Sequence, residues 1–184
     1  MINLPNILTL LRILLIPVFV IFVIEHRFDL ALLTFTAAGI SDGLDGLLAR
    51  ALRQKTTLGA YTDPIADKLL LSTSFVTLAV IGLLPAWLAV VVVSRDVIIM
   101  GGILVLMLVE KKVSIRPTFA SKLTTLCQLV TVFFYLAHDF LAPYWFLSRS
   151  LVNLTALMTL LSGFQYILIG ATLLGQPNHG VGKR

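Results

Sequence analysis

Six long apolar segments follow one another along the chain, with short polar connections between them. They run approximately over residues 7–24, 30–50, 60–82, 85–109, 118–141 and 149–174. A transmembrane helix needs about 20 mostly apolar residues to cross about 30 Å of hydrocarbon, and each segment comes close to that length. Because a backbone that faces lipid must pair its own polar groups, these segments are predicted to be helices. We therefore expect an all-α integral membrane protein with six transmembrane helices.

The composition supports this class. Of 184 residues, 58% are hydrophobic and 12% are charged, which gives more apolar surface than one soluble core can bury. We expect one six-helix transmembrane domain over residues 1–174 and a flexible cytoplasmic tail over residues 175–184. The first segment has neither a basic leader nor a small-residue cleavage site, which indicates a retained span and not a removed signal.

Basic residues are distributed unevenly between the two sides of the predicted bundle. Only Arg27 and Arg149 fall in connections on one side, whereas the other side holds Arg50, Arg53, Lys55, Lys111, Lys112, Arg116, Lys183 and Arg184. The positive-inside rule places this second side and both termini in the cytoplasm. Such a surface favours anionic lipid headgroups and phosphates. The basic residues flank helix ends and form no separate basic domain, so nucleic-acid binding is not expected.

Four aspartates interrupt this apolar pattern. Asp42 and Asp45 lie near the end of the second segment, and Asp63 and Asp67 lie near the start of the third. Spacings of three and four place each pair on one helix face, and the topology brings both pairs toward the cytoplasmic half. Four unpaired aspartates at mid-bilayer would cost roughly 10–14 kcal/mol, which is comparable with the net stability of a domain. Their charge must therefore be neutralised.

The sequence leaves more than one way to neutralise these carboxylates. An ion-pair network could do so with Arg12, Arg50, Lys68 and Arg95. Alternatively, an oxygen-only ligand set with no histidine or thiol nearby suits hard divalent cations, and two such ions would form a clamp for phosphoryl transfer. A divalent-cation transporter is a remote third alternative, but no inverted repeat is visible. Transport also gives no reason for the small and basic residues beside the acids.

Eight residues around the aspartates reproduce the signature D-x2-D-G-x2-A-R-x8-G-x3-D-x3-D. They are Asp42, Asp45, Gly46, Ala49, Arg50, Gly59, Asp63 and Asp67. In this the chain resembles the CDP-alcohol phosphotransferases. The resemblance implies their six-helix membrane fold, usually a homodimer, with two Mg²⁺ or Mn²⁺ ions at a site open to the cytoplasm. It also implies an enzyme of phospholipid biosynthesis that passes the phosphatidyl part of a CDP-linked lipid to a hydroxyl acceptor and releases CMP.

The resemblance also assigns a role to each signature position. The metal ligands would be Asp42, Asp45, Asp63 and Asp67. Asp67 would in addition be the general base that takes the acceptor's proton. The CDP group would be bound by Asp45, Gly46, Ala49, Arg50 and Gly59.

Three further cations, Arg12, Arg95 and Lys122, lie within predicted spans and are candidates for binding the acceptor's phosphate. For Arg95 an equally simple alternative is that it and Asp96 are adjacent charges that hold helices together.

Longer stretches, including "LPNILTLLRILLIPV" and "IRPTFASKLTTLCQL", resemble the CMP-forming cardiolipin synthases through about residue 130. Those enzymes join CDP-diacylglycerol to phosphatidylglycerol. The related phosphatidylglycerophosphate synthases, which use glycerol 3-phosphate, share the first part of the pattern but carry a second arginine two turns after the span-four arginine. Here Ile103 stands at that position. We therefore favour cardiolipin synthesis, with glycerol 3-phosphate as the alternative acceptor. The absence of an arginine-rich leader favours a bacterial inner membrane.

Overall fold

The computed structural model describes the backbone of residues 4–51, 57–108 and 118–175, and the side chains of residues 10–41, 68–102, 104–105 and 118–172. Within these residues the chain is helical. The α-helices are α1 Leu4–Ile24, α2 Phe28–Ala51, α3 Thr57–Val80, α4 Ala86–Leu108, α5 Phe119–Leu136 and α6 Ser148–Gly175. A short 3-10 helix, Ala142–Leu147, precedes α6. The six predicted helices are confirmed, whereas the 3-10 helix was not predicted. The expected tail from residue 176 onward lies outside the described residues.

Local sequence features explain where several helices begin and end. After α1 the chain reverses at His26, whose φ of 57° is in the left-handed region. After α3 it reverses at Gly82, whose φ of 76° is accessible to glycine at little cost. The side chain of Thr118 caps α5 by accepting a hydrogen bond from the Ser121 backbone N–H at 3.2 Å. The reversals at His26 and Gly82 keep the connections after α1 and α3 short.

The helices pack in two groups that α3 joins. In the first group α1 packs against both α2 and α3, and in the second α6 packs against both α4 and α5, while α3 also packs against α4. The core between them is apolar and fully buried at Phe19, Phe75, Leu78 and Leu88. The rings of Phe19 on α1 and Phe35 on α2 lie 6.0 Å apart. This packing fixes α3 relative to α4, which positions the polar cluster described below.

Large apolar side chains also cover much of the outside of the bundle. Examples that are more than half exposed are Leu14, Leu33, Val80, Val90, Val97, Leu126, Leu160 and Phe164. Two described segments, Phe119–Leu136 and Ala142–Thr172, are long and apolar enough to cross a membrane. Leu10–Ile24, Phe28–Ser41 and Lys68–Val80 are shorter apolar helical stretches. The structure thus supports two spans, and six spans remain a prediction.

A groove of about 400 Å³ lies between α3 and α4 on the outside of the bundle. Its lining is apolar apart from one serine and consists of Val76, Ala79, Val80, Ala86, Ala89, Val90, Val93 and Ser94. No charged side chain lines it, so this groove is not suited to the polar chemistry that the aspartates indicate.

Candidate active site

The acidic pairs lie on two consecutive helices. Asp42 and Asp45 belong to α2 and Asp63 and Asp67 belong to α3, so the predicted helical placement of all four is confirmed. Their side chains lie outside the described residues. Between Ala51 and Thr57 the chain can span at most about 23 Å, since successive Cα atoms are 3.8 Å apart. The end of α2 and the start of α3 therefore lie within that distance of each other.

The chemistry of this donor set fits the metal ions implied by the resemblance. Carboxylate oxygens are the ligands that Mg²⁺ and Mn²⁺ prefer in proteins. Among the side chains that the structure describes, no other group of three or more histidine, cysteine, aspartate or glutamate residues could hold a metal ion. The four aspartates are a candidate metal site because of the chemistry of their oxygen donors. The residues predicted to bind CDP, Gly46, Ala49, Arg50 and Gly59, have side-chain positions outside the described residues as well.

A charged cluster lies on α3 and α4 immediately after the second acidic pair. Arg95 Nη1 donates a hydrogen bond to Asp96 Oδ1 at 2.6 Å. Lys68 Nζ donates to the same oxygen at 3.3 Å. The Arg95 and Asp96 side chains are only 6% and 8% exposed, whereas that of Lys68 is 31% exposed. One carboxylate therefore links the residue after Asp67 to a buried arginine.

Two serines complete this cluster from the remaining helices. Arg95 Nη2 donates to Ser121 Oγ on α5 at 2.8 Å and to Ser162 Oγ on α6 at 2.9 Å. The five residues Lys68, Arg95, Asp96, Ser121 and Ser162, here called the Arg95 cluster, thus join α3, α4, α5 and α6. These contacts support the helix-joining role for Arg95 and Asp96. The sequence had suggested Lys68 and Arg95 as partners of the aspartate quartet and did not indicate the serines.

The three cations predicted to bind the acceptor lie in different environments. Arg12 on α1 is fully buried, and Arg95 is buried and hydrogen-bonded within its cluster. Lys122 on α5 is exposed, although the residue before it, Ser121, contacts Arg95. The backbone of Lys122 is therefore next to the cluster, while its side chain is exposed. Binding of the acceptor by these three residues remains a prediction.

A ladder of buried polar side chains connects α5 to α6 and ends at the Arg95 cluster. Its interhelical hydrogen bonds join Thr124 Oγ1 to the Met158 carbonyl at 2.9 Å, Gln128 Nε2 to Thr159 Oγ1 at 3.3 Å, and Thr131 Oγ1 to Thr155 Oγ1 at 2.7 Å. Such bonds help to hold helices together in a membrane, because lipid is as apolar as the helix surfaces and gives no hydrophobic driving force for their association.

Sequence reasoning missed this ladder, although a signal was present. On α5 the polar residues recur as Thr124, Gln128 and Thr131, and on α6 they recur with the same spacing as Thr155, Thr159 and Ser162. Steps of four and three residues keep polar groups on one helix face. Two matching polar stripes on apolar helices indicate that the stripes face each other.

Comparison with known proteins shows to which enzyme family the chain belongs. Residues 2–174 match the family model described as CDP-alcohol phosphatidyltransferase. The chain belongs to this family. As a member of the CDP-alcohol phosphatidyltransferases it is a transferase of phospholipid synthesis, and the family predicted from the signature is confirmed.

Individual relatives within the family carry two different names. The chain is 34% identical over 146 residues to the human cardiolipin synthase (CMP-forming), a match that covers 71% of this chain and 48% of the human protein. It is 32% identical over 185 residues to the CDP-diacylglycerol–glycerol-3-phosphate 3-phosphatidyltransferase of Bacillus subtilis, covering 90% of this chain and 94% of the relative. A probable phosphatidylglycerophosphate synthase of Mycobacterium tuberculosis is 33% identical over 172 residues, covering 90% and 80%.

The chain thus spans about half the length of the human relative and nearly all of the Bacillus one. Family membership establishes the type of group that is transferred. The acceptor is a separate question, because relatives with both names are similarly close in sequence identity.

Proposed function

We propose that this phosphatidyltransferase moves the phosphatidyl group of CDP-diacylglycerol to a hydroxyl of phosphatidylglycerol, forming cardiolipin and releasing CMP. The acceptor oxygen forms a bond to the phosphatidyl phosphorus, and the bond from that phosphorus to the CMP oxygen breaks. CMP leaves with the electron pair. Asp67 takes the proton of the acceptor hydroxyl, which makes that oxygen a better nucleophile.

The signature residues also bind the donor, CDP-diacylglycerol. Asp42, Asp45, Asp63 and Asp67 would hold two Mg²⁺ or Mn²⁺ ions, which when bound supply positive charge to the pyrophosphate. The small residues Gly46, Ala49 and Gly59 leave room for the nucleotide to approach the helix backbone. Arg50 donates hydrogen bonds to the nucleotide phosphates, for which a guanidinium is well shaped.

The net charge of the Arg95 cluster supports phosphatidylglycerol as the acceptor. Lys68 and Arg95 share a single carboxylate, that of Asp96, so the cluster has one net positive charge. The phosphodiester of phosphatidylglycerol also carries one charge, whereas a phosphomonoester such as glycerol 3-phosphate carries about −1.5 to −2. A cluster with one net positive charge therefore matches the lipid acceptor better.

Glycerol 3-phosphate is the second candidate acceptor. The similarity to the Bacillus enzyme, which is named for glycerol 3-phosphate as its acceptor, extends over 90% of this chain. In either reaction the buried Arg12, the buried Arg95 and the exposed Lys122 are the proposed phosphate-binding cations.

The proposed setting is a bacterial inner membrane, with six spans and the acidic ends of α2 and α3 toward the cytoplasm. The apolar exterior of the described helices supports membrane insertion. We also propose a homodimer, following the resemblance. The mass of the purified protein in mild detergent, measured by light scattering with the detergent subtracted, would be that of two chains.

Product identification tests the proposed reaction. The purified protein receives CDP-diacylglycerol and Mn²⁺ with phosphatidylglycerol, with glycerol 3-phosphate, or with both, and the lipid product is identified by mass. We expect cardiolipin and one CMP for each product molecule. Phosphatidylglycerophosphate alone would establish the second candidate. Uptake of Mn²⁺ into vesicles without CMP release in any mixture would instead support a transporter.

A further inference from the structure

We propose that Lys68 binds a phosphate oxygen of a substrate and that Asp96 holds it ready to do so. This inference rests on the proposed function, since it adds a residue to the same site. Lys68 is not part of the family signature, and the sequence alone assigned it only to an ion-pair network.

Lys68 is the more accessible of the two cations that contact Asp96. The Lys68 side chain is 31% exposed, about five times the 6% of Arg95. An ammonium has three donors, and the structure gives Lys68 one hydrogen bond among the described residues, to Asp96 Oδ1. Lys68 can therefore donate to a ligand without losing its protein partner.

Arg95, in contrast, already makes three hydrogen bonds within the protein. Its Nη1 donates to Asp96, and its Nη2 donates to both Ser121 and Ser162. A guanidinium has five N–H donors, and Arg95 Nε is buried without a hydrogen-bond partner among the described residues, so a phosphate could contact Arg95 only by entering the packed cluster. Of the two cations around Asp96, Lys68 is thus the one that can reach a ligand with the packing unchanged.

Lys68 also has a suitable position in the chain and a suitable charge. Lys68 directly follows Asp67 on α3, so its backbone is fixed to that of the proposed base. Asp96 neutralises only one of the two cations that it contacts, and the remaining positive charge attracts an anion. The reaction brings two kinds of phosphate to this place, the pyrophosphate of the donor and the phosphate of the acceptor. The shared ligand is a phosphate oxygen.

Kinetic constants of three variants distinguish the two possible ligands of Lys68, the donor pyrophosphate and the acceptor phosphate. Lys68→Met removes the charge and keeps the length of the side chain, Lys68→Arg keeps the charge, and Arg149→Met is the matched control. Arg149 is exposed and lies about 20 Å along α6 from Ser162, from a rise of 1.5 Å per residue. Losing a charge-assisted hydrogen bond corresponds to roughly a tenfold or larger weakening of binding.

We expect Lys68→Met to raise the apparent KM of one substrate by about tenfold or more, with Lys68→Arg within about threefold of wild type and Arg149→Met unchanged. A higher KM for the acceptor assigns the contact to the acceptor, and a higher KM for CDP-diacylglycerol assigns it to the donor. Lys68→Met with both KM values within about twofold of wild type would overturn the proposal, whether or not kcat falls.

A binding measurement keeps this test independent of turnover. Phosphatidylglycerol in detergent micelles, glycerol 3-phosphate and CDP are titrated separately into the folded wild-type protein and into folded Lys68→Met. Weaker binding of any one of them to the variant supports the proposal, and equal binding of all three overturns it. If the wild type binds them but releases no CMP with either acceptor, the proposed function fails while the Lys68 assignment is still decided by the titrations.

Discussion

Lys68 Nζ and Arg95 Nη1 donate to the same oxygen, Oδ1 of Asp96, at 3.3 and 2.6 Å. One buried carboxylate thereby connects α3, which carries two of the signature aspartates, to the centre of α4. Because Arg95 extends the connection to α5 and α6, the geometry of the proposed site depends on this carboxylate.

Asp96→Asn should therefore destabilise the fold strongly. Removing one partner of a buried ion pair leaves the other charge uncompensated, which lowers the free energy of unfolding by about 3–5 kcal/mol. Replacing both partners with neutral residues removes that penalty, so Arg95→Met combined with Asp96→Asn should be more stable than Asp96→Asn alone. Unfolding in detergent, followed by circular dichroism, measures the difference. A double variant less stable than the single one would show that Asp96 does not act through Arg95.

Arg95→Ala distinguishes acceptor binding from helix joining. If Arg95 contacts the acceptor's phosphate, this substitution raises the apparent KM of the acceptor by about tenfold or more and that of CDP-diacylglycerol much less. Equal changes in both constants, together with a lower unfolding midpoint, would assign Arg95 to the packing of the helices. Lys122→Met, at the exposed neighbouring position, should affect the acceptor KM with no loss of stability.

Hydrogen bonding between Thr131 and Thr155 should stabilise the pairing of α5 with α6. Thr131→Val alone leaves the buried Thr155 hydroxyl with one partner fewer, and we expect a loss of about 0.6 kcal/mol, the typical coupling of such a bond between membrane helices, and of at most about 1.7 kcal/mol. Adding Thr155→Val removes both polar groups and should recover part of that loss. A double-mutant cycle of unfolding free energies measures the coupling. Additive effects of the two substitutions would mean that the 2.7 Å contact contributes nothing.

Asp67→Asn should abolish most turnover while binding of CDP-diacylglycerol persists. The amide keeps the size of the side chain but cannot take the acceptor's proton, a role that typically contributes 10²–10⁴-fold to rate. Single-turnover CMP release and a separate CDP-lipid binding assay provide the two readouts. Turnover within a few fold of wild type would show that another group accepts the proton.

The six helices could be predicted from the sequence because hydrophobic length depends on chemistry within each segment. The family could be predicted because its signature is confined to positions 42–67. Asp96 could be considered as a partner of Arg95 because the two residues are adjacent in the chain. The serine partners of Arg95 could not be predicted, because Ser121 and Ser162 are 26 and 67 residues away. Lys68 was considered as an ion-pair partner of the four aspartates, but tertiary packing brings it to Asp96 on α4.

The central claim is that the aspartates of α2 and α3 hold two divalent cations at the site of phosphatidyl transfer. A structure determined with Mn²⁺ and CDP-diacylglycerol, with the ions located by anomalous scattering, tests it most directly. The account predicts two ions among the carboxylates of Asp42, Asp45, Asp63 and Asp67, with the pyrophosphate beside them. Carboxylates that point apart, or that contact only arginine and lysine side chains while Mn²⁺ is present, would contradict it.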